Sequence, residues 1–63
     1  MTALELTNLK QHAVSHLSAA VHDMIDLKAE LQDARAIKEL TALIEVAEAT
    51  LMVLKRVKAA NLN

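Results

Sequence analysis

The feature that most constrains the fold is a row of apolar residues in the second half of the chain, at alternating spacings of three and four. The row, named here the first seam, consists of Ile37, Leu40, Ile44, Ala47, Leu51 and Leu54. This spacing keeps side chains on one side of an α-helix and is typical of a helix that packs lengthwise against another helix. The chain therefore needs a long helix and a second surface to cover it.

The same helix carries a second apolar row, named here the second seam, which consists of Leu43, Val46, Thr50, Val53 and Val57. Leu43 directly precedes Ile44 in the sequence, so the two rows lie about 100° apart around the helix axis. One neighbouring helix can fill only one of them. Because a long exposed apolar row is typical of an interface, we expect the second seam to bind a partner.

The first half of the chain predicts another helix, over about 3–31. Its apolar stripe consists of Leu6, Ala13, Leu17, Ala20, Met24, Leu27 and Leu31, widened on one side by Val14, Val21 and Ile25. Thr2 and Glu5 stand three apart, as in a capping box, where a hydroxyl and a carboxylate satisfy free amides of the first turn.

A turn is predicted at about 32–35, followed by a second helix over about 34–60. Ile37 comes six positions after Leu31, whereas a shared phase would need seven, so the two stripes do not share a phase. The polar run QDAR lies between them, with Asp33 as a candidate N-cap. The prediction is an all-α, antiparallel two-helix hairpin, completed by a partner or by self-association. The alternative is one continuous helix with a local stammer, because no Gly or Pro forces a break.

We expect the hairpin core to form where the two stripes meet. Its predicted residues are Leu17, Met24, Leu27, Leu31, Ile37, Leu40, Ile44, Leu51 and Leu54. In the alternative packing the hairpin rotates, so that Val14, Val21 and Ile25 pack over the second seam. We favour the first arrangement because antiparallel pairing leaves these three residues on the flank opposite the second seam.

The size of the chain also predicts a partner. At 63 residues, apolar burial nearly cancels the ordering cost of about 1.5 kcal/mol per residue, and without cysteine no disulfide can add stability. Another protein surface is the simplest remaining stabiliser.

Charge and residue types give little sign of chemistry. The net charge of −1 gives no general attraction to nucleic acid, and no aromatic residue is present to stack on bases. His12 and His16 have a spacing that can share a metal, but no third ligand joins them on that face. We expect no enzyme activity, catalytic residue, cofactor, metal site or small-molecule substrate. We also expect no membrane insertion and a cytoplasmic location.

Several residues also resemble a known family. The opening MTALE, and the motif of Ile44, Glu45, Ala47 and Glu48 followed by apolar residues from Leu51 to Val57, resemble the small E-type co-chaperones of type III secretion needle subunits. The resemblance implies a cytoplasmic helical hairpin that binds a larger chaperone with a tetratricopeptide-like fold, and the pair holds a needle subunit monomeric before export. Family members tend to have a longer linker and an aromatic near the end of the second helix, and this chain has neither.

The expected function is therefore that of a non-enzymatic co-chaperone, or adaptor, in type III secretion virulence. The alternative is a homodimeric four-helix bundle that binds RNA or DNA, in which the second seam closes on a copy of itself.

Overall fold

The structure, a computed structural model, describes residues 1–60 and forms two α-helices in that range. Helix α1 spans Ala3–Glu30 and helix α2 spans Ala34–Ala59. The molecule is 47 Å long, and the 28 residues of α1 alone extend for about 42 Å at 1.5 Å per residue. The helices therefore lie side by side and run in opposite directions. The predicted all-α helical hairpin is confirmed.

The predicted cap of α1 is present at Thr2. The amide of Glu5 donates a hydrogen bond to Thr2 Oγ1 at 3.1 Å, and the Thr2 hydroxyl donates to Glu5 Oε1 at 3.2 Å. The carboxylate thus accepts from the hydroxyl rather than from a backbone amide. Both bonds hold the first turn in place, and Glu5 also places negative charge at the positive end of the helix dipole.

The break between the helices occupies residues 31–33. Leu31 and Asp33 are extended, with ψ of 145° and 116°, which ends one helix and begins the next. Asp33 Oδ1 accepts a hydrogen bond from the Arg35 amide at 2.9 Å, so the predicted N-cap is confirmed. The alternative of one continuous helix is wrong. The turn is shorter than the predicted 32–35, because Ala34 and Arg35 already belong to α2.

Val21 and Ile44 form the centre of the interface, each with 6% of its surface exposed. They lie at similar distances from the turn, one on each helix. The first seam faces α1 along its whole length, since its other members are all half-buried: Ile37, Leu40, Ala47, Leu51 and Leu54. On α1, Leu17, Met24 and Leu31 are half-buried as well.

Leu27 corrects the predicted core, because 52% of its surface is exposed. The neighbouring Lys28 faces α2 instead and is half-buried. Seven residues earlier, Val21 rather than Ala20 faces α2. Helix α1 is therefore rotated by about 50° from the expected phase. It presents a row of Val14, Val21 and Lys28 beside Leu17, Met24 and Leu31.

The side chains explain the rotation. Val21 is buried where Ala20 is exposed, and its two additional carbon atoms contribute about 1.6 kcal/mol at about 0.8 kcal/mol per carbon, while Val14 and Ala13 are both half-buried. The methylene stem of Lys28 can cover apolar surface while its ammonium group reaches water, which offsets the exposure of Leu27. The alternative packing was thus right that Val14 and Val21 turn inwards. It was wrong for Ile25, which is exposed. It was also wrong about the surface that is covered, because Val14 and Val21 pack against the first seam rather than the second.

Candidate partner-binding surface

All five residues of the second seam are exposed in the hairpin. The exposed fractions are 54% for Leu43, 63% for Val46, 53% for Val53 and 45% for Val57. The Thr50 hydroxyl donates a hydrogen bond to the Val46 carbonyl oxygen at 2.8 Å. The donor of the one polar side chain in the row is therefore satisfied within the helix, which lowers the cost of covering it.

Helix α1 contributes a second row to the same side of the hairpin. In both helices, the residue that directly precedes a core residue lies about 100° around the axis from it. The helices run in opposite directions and face each other, so these preceding positions fall on one side of the pair. On α2 they include Leu43, before Ile44, and on α1 they include Ala20, before Val21.

The rows combine into one surface, named here the apolar face. It consists of the second seam and the α1 row of Leu6, Ala13, Ala20 and Leu27. None of these nine side chains carries a charge. Large side chains lie towards the two ends of the α1 row and alanines lie in its middle. Leu6 and Ala13 are half-buried, and the other seven side chains of the face are exposed.

The opposite side of the hairpin is different in character. Met52 and Ile25 are exposed there, at 59% and 45% of their surfaces. They are surrounded by polar side chains rather than aligned in a row: Gln11, Ser15, His22, Lys38, Glu45, Glu48 and Lys55. Single exposed apolar residues are normal on soluble proteins, whereas a continuous row is not.

Several ionic groups share the side of the hairpin that carries the apolar face, among them Asp23 and Glu39, which directly precede the half-buried Met24 and Leu40. Arg35 Nε donates to Glu39 Oε1 at 3.2 Å in an exposed pair beside the turn. Lys55, Arg56 and Lys58 are exposed near the end of α2, where cations interact favourably with the helix dipole.

His12 lies on the side of α1 that points away from α2, and His16, which directly precedes the half-buried Leu17, lies on the side that carries the apolar face. Their rings stack, with centroids 6.1 Å apart and planes inclined by 21°, and both residues are exposed. Among residues 1–60, no group of three or more His, Cys, Asp or Glu side chains is placed to hold a metal ion. In the same range, neither helix has both the length and the apolar character to cross a membrane.

Sequence reasoning missed the contribution of α1 to the apolar face. It placed Leu27 in the hairpin core and treated Val14 and Val21 as surplus surface. The signal was the seven-residue spacing of Val14, Val21 and Lys28, which matches the spacing of the first seam. A lysine in that row obscured it, because lysine is seldom assigned to a core position.

With the geometry of this face established, comparison with known proteins adds no assignment: no family model matches the chain, and neither a curated protein nor a solved structure matches it significantly.

Proposed function

We propose that the hairpin is a non-enzymatic co-chaperone, or adaptor, of type III secretion. It binds a larger chaperone with a tetratricopeptide-like fold, and the pair keeps a needle subunit soluble and monomeric in the cytoplasm. The observation that carries this proposal is the apolar face, a set of nine uncharged side chains from both helices, seven of which are exposed. The resemblance of the residues from Ile44 to Val57 to the needle co-chaperones gives the partner its class.

The spacing of the apolar rows suits a partner made of helices. Helical-repeat proteins stack pairs of helices and offer extended concave surfaces, and helical segments bind such grooves through apolar residues at spacings of three and four. The second seam has this spacing over four turns of α2. Leu27 and Ala20 widen the contact on α1, so that the hairpin can dock as a two-helix layer.

The chemistry of the face suits burial rather than catalysis. Val46 and Leu43 expose more than half of their surfaces, and covering each contributes about 1 kcal/mol at 25 cal/mol per Å². Thr50 has already satisfied its hydroxyl within the helix. Binding therefore removes apolar surface from water and leaves no charged side chain of the face without a partner.

The test is purification of the tagged chain from its native host, with bound proteins identified by mass spectrometry. The proposal predicts a helical-repeat protein in equimolar amount, together with a needle subunit. Val46→Asp places a carboxylate at the centre of the contact and should abolish co-purification of both proteins. Met52→Asp makes the same kind of change on the opposite side of α2 and should leave it intact. Recovery of the chain without a helical-repeat protein, or equal behaviour of the two variants, would refute the proposal.

A further inference from the structure

We propose that the apolar face also binds a second copy of this chain, in an antiparallel arrangement that forms a four-helix bundle. The turn of each copy then lies beside the open end of the other, with α1 against α1 and α2 against α2. This goes beyond the proposed co-chaperone function, because it assigns a second occupant to the face. The two occupants exclude each other.

The side of the hairpin that carries the apolar face is close to the size that a homodimer interface needs. It measures about 47 × 15 Å, or about 700 Å², and the apolar face takes up about two thirds of its length, since Leu6 and Leu27 are about 32 Å apart along α1. Stable protein interfaces bury about 800 Å² on each partner. The second copy offers an identical face, so the apolar row of each helix meets the same row of the copy.

The charges of the hairpin select the antiparallel orientation. The half that contains the turn, residues 20–44, has five acidic side chains and three basic ones, a net charge of −2. The open end, residues 1–12 and 53–60, has four basic side chains and one acidic one, a net charge of +3. An antiparallel dimer places each basic end beside an acidic end, whereas a parallel dimer places like charges together.

The α1 row of the face reads the same in both directions. Its order is Leu6, Ala13, Ala20 and Leu27, at equal spacings of seven. The row is centred between residues 16 and 17, and this point is also the midpoint of α1, Ala3–Glu30. Such symmetry suits a two-fold contact between antiparallel helices. In this contact, if one residue of the first copy meets a second residue of the other copy, the same pair meets again with the copies exchanged.

The symmetry fixes the register. A second α1 that runs in the opposite direction about the same midpoint places its Leu27 beside Leu6 and its Ala20 beside Ala13. The alanines at the centre allow the two helix backbones to approach closely, while the leucines fill the space nearer the ends.

Sedimentation equilibrium of the purified chain alone is the first test. The expected mass is twice 6.9 kDa. Val53→Asp should weaken dimer formation by at least about 100-fold, because the substitution buries an unpaired carboxylate in each copy. Met52→Asp should leave the dimer unchanged. A wild-type monomer, or a dimer that tolerates Val53→Asp as well as Met52→Asp, would overturn the inference.

Disulfide cross-linking tests the orientation and register, and the absence of native cysteine makes single cysteines unambiguous. Ala13→Cys and Ala20→Cys are prepared as separate proteins, mixed and oxidised. The mixture should form a disulfide between unlike chains. Each variant alone should not, because like positions lie about 10 Å apart along the axis, beyond the Cα separation of about 7 Å that a disulfide can span. Equal cross-linking of each variant alone would overturn the antiparallel register. Failure here leaves the chaperone test unaffected, because that test measures a different complex.

Discussion

Replacing Val53 by Asp should abolish partner binding without unfolding the hairpin. Val53 has 53% of its surface exposed in the second seam, so a partner that covers it gains about 1 kcal/mol from the apolar area that remains. An unpaired carboxylate at the same place costs at least about 3 kcal/mol to bury. The sum of about 4 kcal/mol corresponds to a loss of about 1,000-fold in affinity. The milder Val53→Ala change removes only the apolar part and should weaken binding about fivefold.

The neighbouring residue provides the control for Val53→Asp. Met52 has 59% of its surface exposed, and it lies about 100° from Val53 around α2, on the side away from the apolar face. Met52→Asp replaces a better helix former than valine, so it should lower the helicity of α2 at least as much as Val53→Asp does. Calorimetric titration of each variant into the purified partner, together with far-UV circular dichroism, separates binding from folding. The reasoning is refuted if Met52→Asp binds as weakly as Val53→Asp while both remain helical.

Three further substitutions test the hairpin itself. Ile44→Ala truncates a side chain with 6% exposure and should lower the free energy of unfolding by about 2 to 4 kcal/mol. The lone chain should then lose its cooperative thermal transition in circular dichroism. A transition as sharp as that of the wild type would contradict the assigned core. Asp33→Ala removes the N-cap of α2 and should lower the free energy of unfolding by about 1 kcal/mol, or the Tm by about 4 to 8 °C. Asp33→Asn should keep both the cap and the Tm. Equal Tm values for the two variants would show that the cap contributes nothing. Leu27→Asp should weaken partner binding and preserve helicity. Ile25→Asp, on the opposite side, should preserve both. If only Leu27→Asp loses helicity, Leu27 belongs to the hairpin core after all.

The fold class and the break between the helices follow from local chemistry, and so the sequence predicts them well. Asp33 can cap a helix wherever it occurs, and its side chain competes with helical hydrogen bonds at the end of α1. The phase of the first seam is also determined within α2, because its six members keep alternating spacings of three and four from Ile37 to Leu54. These features depend on residues that are close together in the sequence.

The rotation of α1 depends on residues that are far apart in the sequence. Two overlapping rows of α1 were both suitable for packing, one with Leu27 and two alanines and the other with Lys28 and two valines. The choice depends on which row fills the space beside Ile44, and this space exists only after the helices have paired. The α1 half of the apolar face follows from that choice, since Leu27 is exposed only because Lys28 is not.

The small core and the wide apolar face have a common cause. Helix α2 presents apolar side chains over nearly half of its circumference. Helix α1 packs against it through Val21 and Leu17 and can cover only the first seam. The hairpin alone therefore leaves Val46 and Val53 in water, and any molecule that covers them binds the folded state in preference to the unfolded chain. Such binding stabilises the fold by about 2.7 kcal/mol when the free partner is at 100 times its Kd. The proposed chaperone and the proposed second copy would stabilise the hairpin in the same way, so we expect the two to compete for the same face. The affinity measured for the chaperone should then fall as the concentration of the hairpin rises, because each complex requires a dimer to separate first.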